Sequence, residues 1–137
     1  MGIVALREVE IRRVGKDGKG ERTDIYIAGQ VRRADDTFDV VRVIVEVKGC
    51  WHEELKKAMR TQLTDPYLHE NDCSHGIYLV GWFNCEKWDK TDTRRDKSRK
   101  WSLDEAKNYF ATQSDALSDS ENTIQSFVLN CAWSDGP

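Results

Sequence analysis

The sequence predicts an α/β protein: a central mixed β-sheet of about five strands flanked by helices, in the order βββαβαβ. Three observations carry this. The first 49 residues hold three runs rich in β-branched residues, joined by short polar links. An apolar stripe at helical spacing follows, Leu55, Ala58, Met59 and Leu63. Beyond it, a short apolar strand and a capped second helix lead to one more strand.

The elements follow in chain order. Residues 4–14, VALREVEIRRV, read as a first strand, with Val9 and Ile11 alternating with Glu8, Glu10 and Arg12. Glycines 15, 18 and 20 make the next segment a turn. It lacks the spacing of a phosphate-cradling loop and opens no helix, so a nucleotide site there is not expected. TDIYIAGQV is the second strand, RRADDTFD a polar link, and VVRVIVEVKG the third strand. Short links imply an antiparallel meander. A helix is expected over 53–65, with Pro66 stopping it. GIYLVGWF, residues 76–83, reads as a buried strand. Ser102 and Glu105 in SLDE form a capping box for a helix carrying Leu103, Ala106, Phe110 and Leu117, and IQSFVLNCAW is the last strand.

The chain has 137 residues, 39% hydrophobic and 33% charged, with a formal net charge of -3. One domain, 1–137, is expected. The charge gives no general attraction to nucleic acid, so any such contact needs a local basic patch. No apolar run approaches the ~20 residues that cross a bilayer, and no secretory signal is visible at the start. No membrane partner is expected. The cysteines Cys50, Cys73, Cys85 and Cys131 form no C-x-x-C pair, which reads as reduced thiols in a cytoplasmic protein. Zinc is not expected: CWH and CSH are not standard ligand spacings.

The third strand contains an anomaly. Glu46 and Lys48 lie in VIVEVKG, the most hydrophobic strand, and point to one face. An E-x-K pair is by itself a common surface ion pair. Here, however, Asp24 begins the neighbouring strand and falls beside Glu46 if the two strands pair. Two adjacent carboxylates repel unless a proton or cation relieves them. Asp24, Glu46 and the backbone carbonyl of Val47 would offer three oxygens to Mg²⁺ (or Mn²⁺), a hard cation that keeps several waters. Lys48 would orient a water or stabilise charge at a phosphorus. Gln62, polar within the helix stripe, would hold a water or phosphate over the site.

Asp24, a connection of about twenty residues, then Glu46-Val47-Lys48 and a glutamine-bearing helix resemble the PD-(D/E)XK nuclease superfamily, in particular its Holliday-junction-resolvase-like and Mrr-like branches. The resemblance covers about residues 8–83. It implies a restriction-endonuclease-like core and metal-dependent hydrolysis of DNA phosphodiester bonds. Catalytic roles fall on Asp24, Glu46, Lys48 and Gln62. GERTDI, VIVEVKG, TQL and GIYLVGWF together look similar to nuclease modules appended to larger bacterial proteins, some linked to phage defence. Other domains of a parent polypeptide are therefore expected as partners, with a homodimer as a further state. Two departures stand out. No helix precedes the first strand, which points to a domain excised from a longer chain. Thr23 replaces the proline before the first aspartate.

Glu8 reads as a solvent-face residue balanced by Arg12 and Arg13, or as an accessory metal ligand. Arg22 reads as an exposed arginine beside a turn, or as a phosphate contact. Residues 87–101, KWDKTDTRRDKSRKW, hold seven Lys or Arg against three Asp. Either this is a solvated loop, or Arg94, Arg95, Lys97, Arg99 and Lys100 bind nucleic acid. The other class of function is a non-catalytic nucleic-acid-binding or protein-interaction module of the same fold.

Overall fold

The β-branched runs form strands of one sheet. In the computed structural model, residues 3–12, 21–68 and 73–134 are described, with side chains from Asp24 onward except those of Pro66 and Tyr67. The strands are β1 (Ile3–Arg12), β2 (Glu21–Arg32), β3 (Phe38–Gly49), β4 (His75–Trp82) and β5 (Thr123–Asn130), in the order β1-β2-β3-β4-β5. β1 pairs antiparallel with β2, and β2 with β3, as a meander requires. β3, β4 and β5 are mutually parallel, so the sheet is mixed. The β2–β3 link turns at Asp36, whose φ of 67 is a left-handed conformation that Asp tolerates better than most residues. Arg32 and Arg33 pair with Asp36 and Asp39 across it.

Parallel neighbours need crossovers, and helices supply them. Leu55, Ala58, Met59 and Leu63 are fully buried, as their spacing predicts. The backbone carrying them differs from the expected helix over 53–65. Turns occupy 53–57, and a π-helix then runs over Met59–Leu68, through Pro66. A proline removes one amide donor. Two residues from a helix end, that loss touches at most one bond of the last turn. The buried Thr64 hydroxyl donates to the Met59 carbonyl at 2.9 Å, five residues back, which suits the wider winding.

The second crossover holds two helices, α1 (Thr93–Lys97) and α2 (Leu103–Leu117). α2 begins as predicted: the Ser102 hydroxyl accepts from the Glu105 amide, and the Glu105 carboxylate accepts from the Ser102 amide at 2.7 Å. α1 was not foreseen. Ala106 and Phe110 join Ile44, Tyr78, Val80, Trp82, Ile124 and the π-helix side chains in one buried core. That core lies between the helices and one face of the sheet. β5 ends at Asn130, short of the expected Trp133.

The other face is apolar and partly exposed, with Val47 37% and Phe127 48% accessible. At its carboxyl end two rings close over glycines. Gly49 and Gly81 are register partners in β3 and β4. A Cβ on Gly49 would sit 2.4 Å from the Trp51 ring, and one on Gly81 2.8 Å from the Phe83 ring. Gly49→Ala is therefore expected to destabilise the protein by about 1–3 kcal/mol, the usual range for overpacking. Chemical denaturation checks this, and an unchanged midpoint would show that Trp51 swings away freely.

Candidate functional site

Strand alternation puts Ile44, Glu46 and Lys48 of β3 on the helix face, beside Gly76, Tyr78 and Val80 of β4. Tyr26 pairs with Ile44 and Ile25 with Val45, so Asp24 comes next to Glu46 on the same face. The β2–β3 ladder ends at the Ile25–Val45 pair, while β1 stays with β2 as far as Glu21. The Asp24 carboxylate bridges the opening: its Oδ2 accepts from the Val47 amide at 2.7 Å. The N–H and C=O of a strand residue point to one edge. The Val47 carbonyl therefore faces the β2 side, where Asp24 lies.

Glu46 is buried, at 3% exposure. Lys48 Nζ stands 2.5 Å from its Oε1, with side chains 10% and 4% exposed. Glu46 Oε2 is buried with no hydrogen-bond partner. A buried, unmet carboxylate oxygen is expensive. Burial pushes the Glu46 carboxyl above the usual range, Lys48 pulls it back, and the Asp24 charge pushes it up further. The two acids thus feel each other electrostatically. Tyr78 shares this pocket of charge. Its hydroxyl donates to the Leu55 carbonyl at 2.7 Å, and burial, with the Glu46 and Glu54 charges, raises its pKa. Both effects keep the phenol neutral, with its proton held in the bond to the Leu55 carbonyl.

Gln62 is half-buried, and its amide donates to Glu54 Oε2 at 2.7 Å. Glu54 was not foreseen as its partner. The bond spans eight residues, across turns that replace the start of the expected helix, where α-helical spacing gives no guide. Glu8 lies between Arg7 and Val9, which pair with Ile25 and Thr23, so its register position is across from Asp24. Arg22 pairs in register with Glu10. The side chains of Glu8 and Arg22 lie outside the described residues, as does the glycine turn over 15–20.

The basic segment is more ordered than either expectation. Asp92 caps α1, accepts from the Trp88 indole at 3.0 Å and pairs with Arg94 at 2.8 Å. Arg94 foremost, then Trp88, hold the Asp92 carboxyl well below the usual range. Arg94 also stacks over Trp51, 5.1 Å from the ring centroid. Ser98 is buried and its hydroxyl reaches the Cys50 thiol and Asn84. Unlike a fully solvated loop, the segment buries Ser98 and packs Trp88 and Trp101 against the core. Arg99 is half-buried and donates to the Glu53 carbonyl at 3.4 Å. Lys97 and Lys100 are exposed, and Arg95 is partly so. By their contacts Arg94 and Arg99 brace the fold, Arg94 while itself exposed; Lys97 and Lys100 face solvent and Arg95 does so in part.

Among the described residues no group of three or more His, Cys, Asp or Glu could hold a metal. Asp24 and Glu46 are two such residues, with Val47 adding backbone only. Also among the described residues, no helix is long and apolar enough to cross a membrane. Comparison with protein-family models, curated proteins and solved structures finds no match to this chain.

Proposed function

We propose that the chain is a metal-dependent nuclease domain with a restriction-endonuclease-like core, hydrolysing DNA phosphodiester bonds. The observation that carries this reading is the Glu46 carboxylate, buried beside Asp24 with Oε2 unpartnered. Folded proteins seldom leave a buried acid half satisfied unless the site has a use for it. A divalent cation fits: hard, oxygen-seeking, and able to relieve both the unmet oxygen and the repulsion from Asp24. Asp24, Glu46 and the Val47 carbonyl would hold Mg²⁺ or Mn²⁺, with Glu8 as an accessory ligand. When bound, such an ion polarises a phosphoryl oxygen and acidifies a water.

The chain's own residues do the rest. Asp24 is fixed by the Val47 amide, so its carboxylate is set before substrate arrives. Lys48 supplies positive charge beside Glu46 and would stabilise the charge that grows on the phosphate. Gln62, steadied by Glu54, would orient a water or phosphate. The test is incubation with plasmid and linear DNA in Mg²⁺, Mn²⁺ or EDTA. Cleavage with either metal and none in EDTA is expected, with Lys48→Ala at least about a hundredfold slower, a donor loss of the oxyanion-hole kind. Lys48→Ala leaves Glu46 unpaired, so its fold is checked by circular dichroism. Metal-independent nicking, or full activity in a folded Lys48→Ala, would overturn the assignment.

A second reading, a binding module of this fold that does not cut, draws on the Lys48–Glu46 pair, which already balances one carboxylate without a cation. Calorimetry with Mn²⁺ separates the two. The nuclease binds it and Asp24→Ala does not, whereas the binding module gives no heat in either. The proposed setting is a defence module of a larger bacterial protein, acting in the cytoplasm.

A further inference from the structure

We infer that the slot between Phe83, Trp88 and Trp133 is a stacking site for one nucleobase of a single-stranded nucleic acid. The slot has a volume of about 250 Å³ and is walled by these three rings together with Lys87 and Asp89. It lies away from the Asp24–Glu46 site. Phe83 folds onto Gly81, on the sheet face opposite the helices, whereas Glu46 faces the helices.

Three observations select the occupant. The first is position. β3, β4 and β5 are parallel, so their carboxyl ends lie together and the segments that leave β4 and β5 meet there. Phe83 directly follows β4, and Trp133 lies three residues beyond β5. The second is shape and surface. Phe83 and Trp88 pack on each other and on Trp51, at centroid separations of 6.1, 5.3 and 6.0 Å, which makes a rigid aromatic wall. Trp133 makes no ring contact among the described residues and is 71% exposed, a large apolar surface left to water. The space is smaller than the ~300–1,000 Å³ of drug-sized pockets and suits one flat ring. The third is charge. Lys87 stands in the wall itself, and it opens a segment, residues 87–101, that carries seven Lys or Arg against three Asp in a chain of net charge -3. Flat rings beside a cationic surface are how sequence-tolerant single-strand sites are built.

Asp89 refines the ligand. Two donors of Thr91, the amide and the hydroxyl, reach its Oδ1 at 2.8 Å each. A carboxylate has about four acceptor directions, so it can also take an exocyclic amino group. Cytosine, adenine and guanine offer one and thymine does not. Identifying the flat ring as a nucleobase rests on the nuclease reading, while the slot itself does not.

The experiment is calorimetry of the whole chain in EDTA, where nothing is cut. The probes are a short single-stranded oligodeoxycytidylate, its oligothymidylate counterpart and free dCMP. The oligodeoxycytidylate should bind, more tightly than the oligothymidylate. Trp133→Ala should weaken it by about tenfold, a typical loss for one stacked base, and Trp133→Phe should retain most of the affinity. Trp133 is too exposed for its loss to unfold the chain. Free dCMP with the same Trp133 dependence shows that the slot takes a mononucleotide; dCMP without affinity shows that it needs the strand. Either result supports a nucleobase site. Equal affinity in wild type and Trp133→Ala, or no binding by wild type, overturns it. So does a dimer that Trp133→Ala turns into a monomer, which would make the slot a contact between copies. Binding in EDTA without cleavage in Mg²⁺ sinks the nuclease reading and keeps this one. Cleavage with no effect of Trp133→Ala does the reverse.

Discussion

Glu46→Gln is expected to abolish metal-dependent cleavage and, at the same time, to raise the melting temperature of the metal-free protein. The two effects share a cause. Glu46 is buried, one of its oxygens has no partner, and its folded-state pKa is raised despite Lys48 at 2.5 Å. Relative to the unfolded chain, the fold therefore disfavours the charged form. Gln is the neutral form in nearly the same shape, and its carbonyl can still accept from Lys48. Lost outer partners of metal ligands cost about 10–100-fold in affinity or activity, and a ligand itself should cost more. Full activity in Glu46→Gln at saturating Mg²⁺ would show that Glu46 is not part of the catalytic centre.

The sign of the pH dependence follows. An acid whose folded pKa is raised binds more protons folded than unfolded, so stability falls as pH climbs from the ordinary glutamate value, ~4.3, through the folded value. Across that window metal-free wild type should lose stability relative to Glu46→Gln, and the two curves should meet at low pH. Metal reverses the order, because an ion that binds only the native state stabilises it by about 2.7 kcal/mol at a hundred times its Kd. Wild type should gain this in Mn²⁺ and the variant should not. Melting curves at several pH values, with and without Mn²⁺, read both effects.

How far the sequence reached can be judged residue by residue. The Asp24–Glu46 neighbourhood was legible because strand alternation is rigid and the link from β2 to β3 is short, which leaves few registers. The buried stripe of Leu55, Ala58, Met59 and Leu63 was legible too. Its backbone was not, because a π-helix buries the same residues with different hydrogen bonds, and Thr64 adds a bond that hydropathy does not show. α1 escaped because it has no buried residues and no stripe; Asp92 builds it from local bonds to Arg94 and Trp88. Gly49 and Gly81 were not singled out, although an isolated strand glycine can mark a close approach. Only the fold reveals that Trp51 and Phe83 are what approach.

That division within the basic segment shapes the second large effect. Replacing Arg95, Lys97 and Lys100 with serine is expected to weaken DNA binding steeply at low salt while leaving the fold intact. Lys97 and Lys100 face solvent and Arg95 does so in part. Arg94 and Arg99 are kept, because Arg94 binds Asp92 and covers Trp51, and Arg99 reaches the Glu53 carbonyl. A chain of net charge -3 has little long-range pull on a polyanion, so phosphate contacts must come from such a patch. Every phosphate of duplex DNA that no longer meets a cation lowers the slope of log affinity against log salt by about 0.9, or up to about 2.7 for all three. Between 50 and 200 mM salt, that shrinks the wild-type fall in affinity by roughly fortyfold. Mn²⁺ affinity should not change, since Asp24 and Glu46 lie on β2 and β3, outside the segment. Including Arg94→Ser should instead lower the melting temperature, by loosening α1 from Trp51. The measurement is DNA affinity across a salt series beside a melting curve. Identical slopes in wild type and the triple variant would leave the exposed lysines and arginine as solvated surface and place the phosphate contacts elsewhere on the chain.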